Sequence, residues 1–253
     1  MMQMMQLGRV GLGVLVGAAC GTVDGPPPPP IPPGTVVQEQ FSARGVSFPY
    51  LLFEPHGWRA DRPMPVLLLI HGSGGQGSFM LDLWKAFADT EGVILVAPTF
   101  QLGPDLESEV PWLFPALMDS VRARVHFDTT QVYVFGYSAG GYAAYDAATL
   151  ASTTFTRAGV FAGIITPDYD WILGKAVRKT PIAIYIGDHD EFFTLDQTRR
   201  TRDVLQAAGF PVHYVELKDR DHNYAAVSTF VNRDAWAFWT RGPAADQAGG
   251  TGR

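Results

Sequence analysis

The chain contains the run Gly136-Tyr137-Ser138-Ala139-Gly140, a serine set among small residues. An apolar stretch, Val132–Tyr137, precedes it and a small-residue stretch, Ala139–Leu150, follows. Where a buried strand passes into a helix, a G-x-S-x-G run makes a sharp, strained turn that exposes the serine Oγ. Glycines at 136 and 140 let the two elements approach closely. The turn also aims the N–H of Ala139, and the start of a helix, at the reacting atom, which suits a developing oxyanion. The chemistry predicted is nucleophilic attack by Ser138. A strand-to-helix turn with a capping serine shares this pattern, so the remaining groups must decide.

A second glycine-rich run, His71-Gly72-Ser73-Gly74-Gly75, directly follows the apolar run Val66–Ile70. It lacks the G-K-[ST] ending of a phosphate-binding loop and the G-x-G-x-x-G spacing of a dinucleotide site. Beside Ser138 it reads as an oxyanion loop, with the N–H groups of Ser73 and Gly74 as donors and His71 orienting the loop. A base must stand at the carboxyl edge of the sheet, where ligands bind in folds of this kind. Of the 6 histidines, His222 follows the last apolar run, Val212–Leu217, and so reaches that edge. His213 lies inside a predicted strand, and His56 and His126 precede strands at the opposite edge. Histidine titrates near neutrality and can take the serine proton and return it. The acid falls between serine and histidine in chain order, in Ile186-Gly187-Asp188-His189-Asp190. Asp188 and Asp190 both fit by position.

These groups need a scaffold. The sequence predicts strands at Val46–Glu54, Val66–Ile70, Val93–Ala97, Val132–Tyr137, Val160–Ile164, Ile182–Ile186 and Val212–Leu217. Helices are predicted at Ser78–Thr90, Ser108–Arg124, Ala139–Leu150, Thr194–Ala208 and Ala225–Trp239. Such alternation implies an α/β fold with a mostly parallel, twisted sheet and helices on both faces. Only Thr166–Thr180 is spare between the predicted strands around it, so no large lid and an open, shallow site are expected. Trp112, Phe114, Tyr137, Tyr169 and Trp171 are aromatic residues that could line it or pack the core.

Over roughly residues 35–241 the motifs resemble the α/β-hydrolase superfamily, and within it the poly(hydroxybutyrate) depolymerase and feruloyl-esterase-like branch. The resemblance rests on the HGSGG loop at His71–Gly75 and on Phe127–Val134 running into GYSAGG. It rests also on the Asp221-His222-Asn223-Tyr224 loop and the closing Asn232–Trp236 segment. The family's acid turn reads G-x-x-D, which aligns Gly187 with Asp190 and favours Asp190 over Asp188. The resemblance implies a Ser138–His222–Asp190 triad, an ester substrate, small or polymeric, and no metal or organic cofactor. A peptidase or amidase with the same triad, or a non-catalytic binding lipoprotein on this fold, are the alternatives.

The ends of the chain carry other signals. Val10–Ala19 is a short apolar stretch preceded by Arg9 and followed by Cys20, the only cysteine. Residues 1–20 therefore read as an export signal. Val16–Cys20 resembles a bacterial lipoprotein signal, which implies lipidation of Cys20, membrane anchoring and a cell-envelope or secreted location; ordinary cleavage nearby, or a flexible tail on a protein that stays inside, are the alternatives. Residues 21–34 are a Pro-rich linker, extended and semi-rigid, and 242–253 a disordered tail. With 47% hydrophobic and 17% charged residues, the chain composition is that of a globular protein. A net charge of -6 with no Lys/Arg cluster argues against a nucleic-acid partner. One thiol excludes an internal disulfide framework.

Overall fold

The computed structural model describes residues 31–101 and 106–241. The expected export signal, most of the Pro-rich linker and the tail lie outside the described residues. The central strands form from unbroken apolar runs because helices cover both of their faces. The run Val66–Ile70 is buried throughout within β3 (Met64–Ile70), as is all of β4 (Ile94–Pro98). With β5 (Phe127–Tyr137), β6 (Arg157–Phe161), β7 (Ile182–Gly187) and β8 (Val212–Leu217) they make the parallel part of the sheet. A hairpin of β1 (Val36–Ala43) and β2 (Val46–Phe53) completes it, β2 pairing antiparallel with β4. The 8-stranded order is β1-β2-β4-β3-β5-β6-β7-β8.

Helix α1 (Gly77–Glu91) and α5 (Ser228–Arg241) cover one face. Trp84 of α1 stacks on Trp239 of α5 with centroids 6.3 Å apart. Helix α2 (Leu106–Arg124), α3 (Ala139–Thr149) and α4 (Leu195–Ala207) cover the other. The mostly parallel α/β architecture is thus as expected, and among the described residues no large lid interrupts it.

Several expectations need correction. Strand β1 is absent from the sequence reading. Its hairpin turn places Arg44 and Gly45 at φ 50 and 81, and arginine is not a residue that announces this turn. The strand expected at Val160–Ile164 occupies Arg157–Phe161 instead. After Phe161 the backbone turns away at Ala162, at φ 54, while Ile164 and Ile165 stay buried in the loop, so the apolar run outlasts the strand. Helix α2, by contrast, lies close to the expected Ser108–Arg124 and runs through Pro111 and Pro115, because Val110, Leu113, Phe114, Leu117 and Val121 are all fully buried or nearly so. That burial outweighs the local cost of interior prolines. The spare segment forms a 3₁₀ helix, Pro167–Lys175, laid on α3. Finally, Ile31 is buried in the core and the Gly34 N–H donates to the Glu54 carbonyl at 2.7 Å, so the packed unit begins within the segment read as linker.

Candidate active site

Ser138 stands between β5 and α3 at φ 55 and ψ -120, a region that non-glycine residues avoid. The local packing explains why the sequence there is so small. A Cβ on Gly136 would lie 2.1 Å from the Gly140 carbonyl oxygen, and one on Gly140 would lie 2.4 Å from the Ile70 oxygen. Only glycines permit the close approach of strand and helix that drives the serine into its strained turn. Two backbone bonds fix the turn: the Ser138 N–H donates to Phe161 O at 2.9 Å, and the Gly141 N–H to Ser138 O at 2.8 Å.

His222 lies in the loop after β8, and its Nε2 is 2.9 Å from the Ser138 Oγ. Its Nδ1 is 2.7 Å from Asp190 Oδ2. The Asp190 side chain is fully buried. Its other oxygen, Oδ1, accepts the N–H groups of Phe192 and Phe193, both at 2.9 Å. Burial is the largest influence on this carboxyl and pushes its pKa up. The His222 bond and the two backbone donors together overcome it, so the pKa lies below the ordinary carboxylate value. Asp190 is therefore a carboxylate with all its donors in place. The sequence left Asp188 and Asp190 open by position; the structure brings Asp190 to His222. Asp188 turns instead to the Arg220 N–H, at 3.3 Å.

The glycine-rich loop presses on the serine from the β3 side. A Cβ on Gly72 would lie 3.1 Å from the Ser138 Cβ. A bond from the Gly75 N–H to Gly72 O, 3.0 Å, closes a turn over Ser73 and Gly74. His71 does orient this loop. Its Nε2 accepts the Phe100 N–H at 3.3 Å, which leaves Nδ1 to donate to Gly72 O at 2.7 Å. Ala139 is the first residue of α3, so its N–H has no carbonyl partner within the helix.

The other histidines are engaged elsewhere. His56 pairs with Asp89 at 2.8 Å, His126 contacts the Ala60 carbonyl, and His213 meets Asp234 at 2.6 Å. The structure divides the aromatic residues that the sequence left open between site and core. Phe114 is buried in the core, Trp112 packs against the core under Arg44, and Tyr169 bonds to Asp146 beside Trp171. Of that group only Tyr137 touches the triad, its ring 5.2 Å from that of His222. Phe192 and Phe193 flank His222 at 4.6 and 5.8 Å, and the half-exposed Phe79 faces Tyr137 at 6.0 Å. The Phe192-Phe193 pair follows the acid turn directly, which was the available signal.

Among the described residues, Asp188, His189 and Asp219 each bring one ligand atom within 4.8 Å of the others. They are at least partly exposed, and none is a member of the Ser138–His222–Asp190 set.

A family model described as the dienelactone hydrolase family matches residues 97–238. The chain belongs to that family. The match spans the serine turn, the acid turn and the histidine loop. Among curated proteins, a bifunctional acetylxylan esterase/xylanase of Neocallimastix patriciarum is 27% identical over 140 residues, 53% of this chain. The chain spans only 20% of the length of that relative. Among solved structures, a ferulic acid esterase of Anaeromyces mucronatus aligns with TM-score 0.64 and 16% identity, over 78% of this chain and 88% of that one. S-formylglutathione hydrolase of Staphylococcus aureus aligns with TM-score 0.68 and 14% identity, over 80% and 95%. At such identities these neighbours establish the α/β-hydrolase fold for this member of the dienelactone hydrolase family.

Proposed function

We propose that this chain is a serine hydrolase that cleaves carboxylic esters through an acyl-enzyme. The observation that carries the reading is the unbroken chain of contacts from Asp190 through His222 to Ser138, at 2.7 and 2.9 Å. Nδ1 of His222 donates to the Asp190 carboxylate, which leaves Nε2 free to accept the Ser138 proton. Ser138 Oγ attacks the ester carbonyl carbon as its proton passes to Nε2. The tetrahedral oxyanion lies between the N–H of Ala139 and those of Ser73 and Gly74. The C–O bond to the alcohol breaks, the alcohol leaves with the proton from Nε2, and Ser138 is left acylated. Water then attacks, gives a proton to Nε2, and the acid departs as Oγ recovers its proton. The buried Asp190 stabilises the imidazolium formed in both halves. This chemistry draws on side chains and backbone alone.

The relatives named above include an acetylxylan esterase and a ferulic acid esterase, which supports a carboxylic ester as the substrate. The likeness to poly(hydroxybutyrate) depolymerases rests on the sequence motifs and extends the proposal to polymeric esters. Export, with Cys20 as the lipid-bearing residue, belongs to the same reading: the apolar run before Cys20 supports it.

Labelling with a fluorophosphonate probe tests the activated serine. The probe is expected to modify Ser138, found by peptide mapping, and not to modify the Ser138→Ala protein. Modification of another residue, or none at a probe excess that labels a known serine esterase fully, would overturn the reading.

A further inference from the structure

Strand β8 is the open edge of the sheet, and a groove of about 720 Å³ runs between its carboxyl end and α5. One wall is the stripe Phe230, Arg233, Ala237 and Arg241, spaced three and four apart along α5 and so on one helix face. The opposite wall is Leu217, Lys218 and Arg220, from the end of β8 and the loop that leads to His222. Lys218, Arg220, Arg233 and Arg241 are exposed, and none of them forms an ion pair among the described residues. The sole acid lining the groove, Asp234, is committed to His213 at 2.6 Å and to the Tyr185 hydroxyl at 2.9 Å. Asp219 and Asp221 share the loop but do not line the groove. Between the cations the floor holds the buried Val227, with Ala237 of the helix wall beside it, and Phe230 stands 51% exposed.

This arrangement contrasts with the chain as a whole, whose formal net charge is -6. An anionic partner is repelled by the surface at large and drawn to this groove. A second copy docked face to face would set these cations against their own counterparts. A cationic ligand is excluded for the same reason. The apolar floor asks for apolar side chains beside the anions, which a polyuronate chain lacks. We propose that the groove seats an acidic, amphipathic segment of a partner protein. Carboxylates of the segment meet Arg233 and Arg241, about 12 Å apart along the helix axis, and its apolar side chains cover Val227, Phe230 and Ala237. Helix-in-groove docking has this division of labour: apolar anchors for affinity, charges for selection. The groove ends at Arg220, in the same loop as His222, so a bound segment would sit beside the reaction centre without touching it.

The test is fluorescence anisotropy with the full chain and a labelled, helical peptide of about 15 residues made of leucine and glutamate in amphipathic order. The proposal expects saturable binding that weakens as salt is raised. The double variant Arg233→Glu/Arg241→Glu is expected to weaken it by about tenfold or more, and a peptide with glutamine for glutamate not to bind. The rate on p-nitrophenyl acetate and the thermal midpoint report that the variant is folded. If charge reversal disturbs folding, Arg233→Gln/Arg241→Gln replaces it, with loss of binding again expected. No saturable binding, or binding indifferent to these substitutions, would overturn the proposal. So would polygalacturonate or phosphatidylglycerol vesicles that bind where the peptide does not. Peptide binding that emerges only once residues 242–253 are removed would assign the groove to the chain's own tail, and would overturn it too.

Discussion

The hydroxyl of Tyr137 donates to the main-chain oxygen of His222 at 3.0 Å, while its ring lies beside the imidazole. The residue just before the serine thus holds the loop that carries the histidine. The ring also meets Phe161 and Tyr224, at 6.0 and 5.7 Å, so it is locked by packing on the far side. Burial, aided by the nearby carboxylates of Asp190, Glu191 and Asp221, raises the phenol pKa and keeps it a donor.

Tyr137→Phe keeps the ring and removes only that bond. One hydrogen bond of this kind contributes about 1 kcal/mol to stability. The variant is expected to lose roughly that amount in urea unfolding. Its kcat is expected to fall several-fold with KM little changed, because the loop shifts His222 and leaves the rest of the site in place. Steady-state kinetics beside the unfolding curve check both. An unchanged kcat would remove Tyr137 from the positioning of His222.

Asp190 and Asp188 separate cleanly. Asp190→Asn disturbs the His222 tautomer, a change that costs about 10⁴ in kcat in enzymes of this type. Asp188→Asn is expected to leave kcat within a few-fold of the parent, since among the described residues the Asp188 carboxylate accepts the Arg220 N–H and does not meet His222. The two kcat values, measured on one ester, decide the assignment.

The same carboxyl links stability to acid. Its folded pKa is lowered, so its contribution is complete above the ordinary carboxylate pKa and is lost as pH falls through the folded value. Asp190→Asn should flatten the acid limb of stability against pH, followed by urea unfolding below pH 5. A parent and variant with parallel acid limbs would contradict this.

Glu54 behaves in the opposite sense. It is 1% exposed, one carboxyl oxygen has no hydrogen-bond partner, and burial raises its pKa to about 7 against the pull of Arg124. The folded state prefers the neutral acid, whereas the unfolded chain ionises at the ordinary value. Stability therefore declines as pH rises between those two values, and the full penalty holds above the folded one. Glu54→Gln is expected to stabilise the protein at pH 8, on the order of 2 kcal/mol, and to do little at pH 4. Unfolding at the two pH values checks the sign.

The Ser138–His222–Asp190 set was legible because each member lies within a few residues of the end of an apolar run. Val132–Tyr137 leads to Ser138, Ile182–Ile186 to Asp190, and Val212–Leu217 to His222. A parallel strand ends where its apolar run ends, and parallel strands place their carboxyl ends at one edge. The exceptions follow the same logic. In β6 the apolar run continues into a buried loop, so the strand was placed three residues late. Strand β1 alternates buried or half-buried residues with exposed Gln38, Gln40 and Ser42, and its turn carries Arg44 in place of a typical turn residue. The aromatic residues at the site were illegible for a different reason. Phe114 and Phe192 are chemically the same in sequence, but one packs in the core and the other lies tilted against His222. Only the tertiary arrangement distinguishes them.

The central claim is that Ser138 is the nucleophile of an ester hydrolase. The most direct measurement is kcat on p-nitrophenyl butyrate for the parent and for Ser138→Ala, with matched thermal midpoints. The account predicts a fall of about 10⁴ to 10⁶ in kcat. Hydrolysis by Ser138→Ala at the parent rate would contradict it.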